Sequence, residues 1–577
     1  MRRRQFLQFG AAATGLFASS AFLRDSEQVR ASELNLGARF GTSELEADVV
    51  IIGGGLGGCA AALAALRNGL NVIMTEETDW IGGQLTSQAV PPDEHRWIET
   101  HGATALYRRF RESVREYYRR HYPLTDDARA RVNLNPGDGS VSRLCHEPRV
   151  ALAVFLEMFN PYFSTGRFTL LLEHKAISAD VSGDTVRAIK VINRQDGKEY
   201  TLKAPHFIDA TELGDLLPMT GTEFRIGSES RSETNELHAP EVGNPLNHQA
   251  FTVIFAMDYD KDGNHVIDKP PRYDFWRDFV PVMEPPWPGR LLDLTYSHPY
   301  TLIPTELGFH PEGVNLTGAD GSWMLNLWNY RRIINQNNFL PGTHRGDITI
   351  VNWPQNDYVL GNLDGSEEEF AYHFARGKEL SLSLFYWLQT EAPRPDGGQG
   401  WAGLRLRSDV LGTSDGMAKY PYVRESRRIK ALFTILEEHI GKQQRESITG
   451  QTEEFAAPFF DSVGVGYYQI DLHPSTAGVN YIDFPALRFQ IPLGALLPQR
   501  MLNLLPANKN IGSTHITNGC YRLHPIEWNI GESAGMLVVF AQQKNVPPRA
   551  VRETPALLDE FQNFIRLQGI ETHWQTT

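Results

Sequence analysis

Residues 48–76 read DVVIIGGGLGGCAAALAALRNGLNVIMTE, and this stretch decides the fold. The apolar run 49–52 predicts a buried parallel strand that leads directly into Gly53, Gly55 and Gly58, in the order G-x-G-x-x-G with Gly54 between the first two. Gly53 permits the tight turn out of the strand, Gly55 lets the backbone approach a pyrophosphate with no Cβ in the way, and Gly58 lets the next helix pack close to the sheet. The alanine-rich helix predicted from residue 57 to about 68 aims its unpaired N–H groups and positive dipole end at the phosphates, and Gly69 ends it. A second strand, 70–75, delivers Glu76 eighteen positions after Gly58. There an acidic side chain accepts hydrogen bonds from a ribose diol and repels a 2′-phosphate. The unit therefore predicts a bound dinucleotide, and by itself leaves NAD and FAD both open.

Later segments narrow the choice. WIGGQLT at 80–86 places Gly82 and Gly83 six and seven residues after Glu76, and FIDATELGDLLPMTG at 207–221 follows strand-like runs at 168–172, 185–192 and 200–202. The first resembles the E-x(5)-GG segment of FAD-dependent oxidoreductases with a glutathione-reductase-like fold, and the second resembles their "DATG.GD" strand, with Glu212 where a glycine is usual. LCHEPRV at 144–150, YPYVRESRRI at 420–429 and NLLPANKNIGSTHITNGCYRLHPIEWNIGESAG at 503–535 are together similar to the broad FAD-dependent oxidoreductase family. The resemblance implies FAD, held by Gly53, Gly54, Gly55, Gly58 and Glu76 at the ADP half. It further implies contacts from Gly82, Gly83, Gln84, Asp209, Ala210, Thr211, Asn508, Lys509 and Pro525. It also implies a late strand at about 501–505 beside the ribityl chain and a final helix pointing its amino end at the flavin. Pro525 suits the first turn of that helix, where its missing N–H has no partner to lose. Asn508 and Lys509 stand where many relatives carry glycine and an acid.

At 577 residues the chain exceeds a single core, and the predicted architecture is α/β: a Rossmann FAD-binding domain with an intertwined α+β substrate domain. The expected boundaries are a signal segment at 1–31, a linker at 32–46, the first part of the FAD domain at 47–226 with a helical insertion at about 98–160, a substrate domain at 227–492, and the return of the FAD domain at 493–577. Helices are expected at 367–388 and 423–440, and a long strand at 250–257. The net charge of −14 argues against nucleic acid, whose phosphates require clustered Lys and Arg. Arg3 and Arg4, followed by Gln5-Phe6-Leu7 and a weakly apolar stretch, resemble a twin-arginine export signal. That implies the twin-arginine translocase as a partner, a periplasmic or secreted protein, and no membrane span in the mature chain. Cys59, Cys145 and Cys520 lack C-x-x-C spacing, so no redox-active disulfide is expected.

FAD brings the hydride chemistry, so the protein has to bind, orient and tune it. His515, Arg522 and His524 lie between the late strand and the final helix and are the candidate catalytic residues. A histidine there takes a proton as substrate loses hydride, and an arginine holds a carboxylate or the flavin oxygen. A helix starting near Arg424 would put Arg424, Arg427 and Arg428 on one face, where they would grip an anionic group of the substrate or form an ion-pair network. DYDKDGNHVIDK at 258–269 starts like a calcium loop, but its twelfth position is Lys269, so a turn without metal is expected. No second strand-linked glycine fingerprint for a nicotinamide appears. The expected reaction is oxidation of a small organic substrate, with reoxidation by oxygen or a respiratory acceptor. A flavin-dependent lyase, isomerase or hydratase, or a non-catalytic FAD-bearing binding protein, stands as the alternative.

Overall fold

The computed structural model describes residues 43–318 and 321–575. The segment expected as an export signal and most of the expected linker fall outside the described residues. The chain is organised around a five-stranded parallel sheet in the order Leu504–Pro506, His206–Asp209, Val49–Ile52, Val72–Glu76, Phe168–Leu172. Its central strand is apolar at every position because both faces are covered. Val49 and Ile51 join the core formed by helices Leu56–Arg67 and His524–Lys544. Val50 and Ile52 point the other way, onto a four-stranded sheet built from Glu44–Glu46, Glu199–Lys203, Thr185–Asn193 and His174–Ser182. The period-2 alternation of one short strand thus fixes a three-layer arrangement.

The two helices approach closely because they meet through small residues. A Cβ on Gly531 would stand 2.0 Å from the Gly57 carbonyl oxygen, and one on Gly535 would stand 2.5 Å from that of Ala61. The last part of the chain thereby completes the layer that the first glycine motif begins. The helical insertion comprises Ala105–His121, started by the Thr104 side chain accepting from the Tyr107 N–H, and Pro148–Ser164.

The intervening chain builds a second apolar cluster, rich in tryptophan, against the antiparallel sheet Arg332–Ile334, Ile348–Val351, Phe255–Tyr259, Leu404–Leu406 and the helix Glu367–Thr390. That helix is started by a capping box between Ser366 and Glu369. Two expectations fail here. The strand expected at 250–257 is broken into Phe251–Thr252 and Phe255–Tyr259, which pair with different partners. The helix expected at 423–440 does not form, because its backbone N–H groups are taken elsewhere. Ile429 donates to the Asn510 carbonyl, Lys430 to Glu223 and Leu432 to Leu497, leaving a short strand Arg428–Ile429 and one turn, Glu437–Ile440. Among the described residues no helix is long and apolar enough to cross a membrane.

Candidate functional site

The carboxyl ends of the parallel strands converge on a cleft of ≈ 490 Å³ lined by Gly53, Gly55, Glu76, Gly83, Ala210 and Thr211, with Gln88, Glu212 and Tyr420 among its other walls. The glycines are required by position. Gly53 has φ +99°, and a Cβ there would lie 2.2 Å from the Ala210 carbonyl oxygen. Gly82, at φ +108°, donates its N–H to the Gly54 carbonyl at 2.7 Å, which lays the second glycine loop across the first. Glu76 closes the ring by accepting from the Gly54 N–H at 3.1 Å and from the Thr78 N–H at 2.9 Å. Burial pushes its carboxyl up to about 8 against the lowering effect of the Thr78 bonds. Asp209 anchors the neighbouring strand end through the Thr211 N–H and hydroxyl, and burial raises it to about 7.

The cleft fits the dinucleotide that the fingerprint predicts. Gln88 is fully buried on its wall, and neither its amide nitrogen nor its oxygen has a partner within the protein. A buried amide left in that state costs about 1–3 kcal/mol, so a ligand group is needed to complete it. A Cβ on Gly55 or Gly83 would stand 2.9 Å from the Glu212 carboxylate, so this wall of the cleft admits no side chain and presents backbone to a ligand.

Behind this loop stands a buried ionic network. Lys509 Nζ lies 2.5 Å from Glu212 and 3.6 Å from Glu527, and Gln84 donates to Glu527 at 2.8 Å. Glu212 and Lys509, two of the three departures from the family pattern, are therefore partners of each other. Burial pushes Glu527 up to about 7, partly offset by Lys509. Asn508 bridges the same parts, its Oδ1 accepting from the Gly57 N–H at 3.1 Å and its Nδ2 donating to the Ala210 carbonyl at 2.7 Å. Pro525 sits in the first turn of His524–Lys544.

A second cavity, ≈ 800 Å³, lies beyond the segment 420–422. Tyr420 lines the first cleft and Tyr422 the second. Its polar walls are Asp93, Arg331, Arg424, Asp471, His473 and Arg522, interleaved with tyrosines and Trp353. Arg522 donates to the Tyr422 hydroxyl at 3.0 Å and to the Asp471 carbonyl at 2.9 Å, while Gln84 donates to the Arg522 carbonyl, so the second glycine loop is tied to the wall of the second cavity.

The other candidates are distributed differently from the pattern read in the sequence. His524 is fully buried, lines neither of these cavities, and accepts the Asp93 N–H on Nδ1 at 3.0 Å. Its ring hydrogen therefore sits on Nε2, and burial pushes its pKa down to about 3, so the ring is neutral. His515 lines neither cavity either; its Nδ1 lies 2.7 Å from Glu425. Arg424, Arg427 and Arg428 share no helical face. Arg424 reaches the second cavity, Arg427 pairs with Asp215 at 3.2 Å beside the first, and Arg428 is locked between Glu425 and Glu229. Asp93, Arg331, Asp471 and His473 were not legible as site residues. They come from segments far apart in the chain and carry no spacing motif. Among the described residues no group of three or more His, Cys, Asp or Glu side chains is placed to hold a metal.

Several solved structures resemble the chain at low scores. An L-proline dehydrogenase from P. horikoshii is 18% identical over 32% of this chain and 24% of its own, with a TM-score of 0.16. The anhydrotetracycline hydroxylase OxyS from Streptomyces rimosus is 11% identical over 91% of this chain and 66% of its own, at 0.32. A geranylgeranyl bacteriochlorophyll reductase-like protein from Thermoplasma acidophilum is 10% identical over 92% and 85%, at 0.30. Scores this low carry no functional argument. No curated protein matches the chain. The family model described as FAD dependent oxidoreductase matches residues 48–565, nearly the whole described chain, and so the chain belongs to the FAD-dependent oxidoreductase family, with FAD as its cofactor.

Proposed function

We propose that the protein is a dehydrogenase or oxidase that removes hydride from a small organic substrate held in the ≈ 800 Å³ cavity. The observation that carries this reading is the adjacency of the two spaces, the cleft of the glycine loops and a polar, aromatic-lined cavity, divided by the segment 420–422 and joined by the Gln84–Arg522 hydrogen bond. When bound, FAD supplies a two-electron acceptor. The chain's residues do the rest: the Gly53–Gly58 turn and Glu76 hold the ADP half, Gln84, Asn508 and Lys509 support the ring side, and Arg424 and Arg522 position substrate from the cavity wall. His524, which lines neither space, acts only as a brace: its Nδ1 lone pair accepts the Asp93 N–H and holds that wall residue in place. The export reading, with Arg3 and Arg4 addressed to the twin-arginine translocase and oxygen or a respiratory carrier as acceptor, belongs to the same proposal. Anaerobic mixing of the FAD-loaded enzyme with candidate substrates tests it. Bleaching of flavin absorbance by at least one is expected, and a flavin that stays oxidised throughout refutes substrate oxidation.

A further inference from the structure

The wall of the second cavity carries a proton acceptor. His473 follows the strand Ile470–Leu472, and its Nδ1 lies 2.5 Å from Asp357 Oδ2. Asp357 is buried, accepts from the Thr252 hydroxyl at 2.6 Å, and lies 3.1 Å from the Arg424 guanidinium. Burial pushes its carboxyl up, but Arg424 and His473 outweigh burial and hold it below the usual carboxylate range. An ionised carboxylate only accepts, so the ring hydrogen of His473 sits on Nδ1 and the Nε2 lone pair is free. Asp471 Oδ2 is 3.9 Å from Nε2, too far for a hydrogen bond. The imidazole thus has one nitrogen fixed by a buried carboxylate and the other available in a cavity, the arrangement in which a carboxylate orients a base and stabilises the imidazolium that forms.

The charges of the wall limit what can sit there. Arg331 is matched by Asp93 at 3.3 Å, Arg424 by Asp357, and Arg522 by Asp471 at 3.2 Å. Each guanidinium thus has its charge matched by a carboxylate, so an anionic ligand would gain little further charge compensation and would find only the three Nε–H groups without a partner in the protein. A neutral ligand meets tyrosine faces and polar groups without disturbing the pairs. The need for a base separates the neutral classes further. A free amine already has the lone pair that drives loss of hydride from the adjacent carbon, whereas an alcohol must give up its O–H proton in the same process.

We propose that His473, oriented by Asp357, is the general base for oxidation of a neutral hydroxy compound in this cavity, an inference that rests on the substrate-oxidising reading above. In the step, the O–H bond breaks and its proton passes to His473 Nε2. The C–H bond on the same carbon breaks and its electron pair leaves as hydride to oxidised FAD, and the C–O bond becomes C=O. Substrate loses two hydrogens and two electrons, FAD gains the hydride, and His473 holds the remaining proton until it reaches solvent.

The test uses the FAD-loaded enzyme under anaerobic conditions, with propan-2-ol, D-glucose and benzyl alcohol as neutral probes, mandelate and D-gluconate as anionic ones, and benzylamine as an amine. Bleaching by a neutral alcohol is expected, slowed roughly 100-fold or more in His473→Gln, with FAD content and visible spectrum at the parent level. The parent rate should also fall on acidification, and His473→Gln should lose that dependence. The groups around the ring that carry or change charge are Asp357, Asp471, Asp483, Arg424, Arg522 and Tyr481. Burial pushes Asp483, the cross-strand partner of Asp471, up to about 7, so Asp483→Asn is the control that must keep the pH step. Asp357→Asn should slow bleaching and move the pH step, because it alters the base without removing it. Bleaching by an alcohol at the parental rate in His473→Gln, or a pH step that disappears in Asp483→Asn and survives in His473→Gln, overturns the base assignment. Bleaching by the anions or the amine alone overturns the substrate class. Silence from every probe counts against substrate oxidation itself and takes this inference with it.

Discussion

Replacing Lys509 with methionine strikes the point where the chain departs from its family's pattern. Lys509 is 1% exposed, and its ammonium stands 2.5 Å from Glu212 and 3.6 Å from Glu527. Methionine fills similar volume and removes the charge, leaving two carboxylates facing each other across Gln84 and the glycine loops. At an effective dielectric constant near 20, an ion pair at about 4 Å is worth about 4 kcal/mol, and measured losses on breaking a buried pair are about 3–5 kcal/mol. Lys509→Met should therefore cost about 3–5 kcal/mol in equilibrium urea unfolding at a fixed excess of FAD. The loss should depend on pH. Glu527 already has a carboxyl raised to about 7 by burial, and without Lys509 it rises further, so the variant escapes part of the penalty by protonation. A raised carboxyl favours the folded state below its unfolded value and loses that advantage as pH climbs through the folded one, so the deficit should grow between about pH 5 and pH 8. The double variant Glu212→Gln, Lys509→Met should recover at least 1 kcal/mol relative to the single change, the coupling that neighbouring charges show. A single variant within about 1 kcal/mol of the parent, or a double variant no better than the single, would refute the claim that Glu212 and Lys509 form a compensated unit.

Gly531→Ala should separate the two helices that close the FAD layer, because its Cβ would stand 2.0 Å from a carbonyl oxygen that cannot yield. Dialysed protein should then lose FAD and show a lower melting temperature, and full retention of FAD would place the crossing elsewhere. For Glu76→Gln, the pH dependence of apoprotein stability is the readout. Glu76 has a folded value of about 8, so its contribution is present below the usual carboxylate range and lost as pH rises through 8, each tenfold difference in proton affinity between folded and unfolded chain being worth about 1.4 kcal/mol. The variant should lose that component, and parallel curves for variant and parent would refute it. Changing Arg3 and Arg4 to Lys keeps the charge and should trap folded, FAD-loaded protein in the cytoplasm, as cell fractionation would show; normal export would end the twin-arginine reading.

The sequence alone carried everything that depends on neighbours in the chain. The strand 49–52, the glycine turn, the alanine-rich helix and Glu76 form a unit in which periodicity and backbone freedom act over a few residues, and the structure builds that unit at the centre of its sheet. The same holds for Pro525 in the first turn of its helix and for the helix expected from residue 367, which forms as Glu367–Thr390. Residues 423–440 show the limit. Their charges repeat at helical spacing, yet Arg424, Glu425 and Arg428 are drawn to partners at Asp357, His515 and Glu229, and the backbone follows. The second cavity depends wholly on such distant meetings. His473 becomes a base only because Asp357, more than a hundred residues earlier, reaches its Nδ1, and Glu212 is tolerated where glycine is usual only because Lys509 arrives beside it. Local rules fix which segments turn, coil or extend. The low dielectric of the interior decides which charges must find one another, and that choice exists only once the chain has folded.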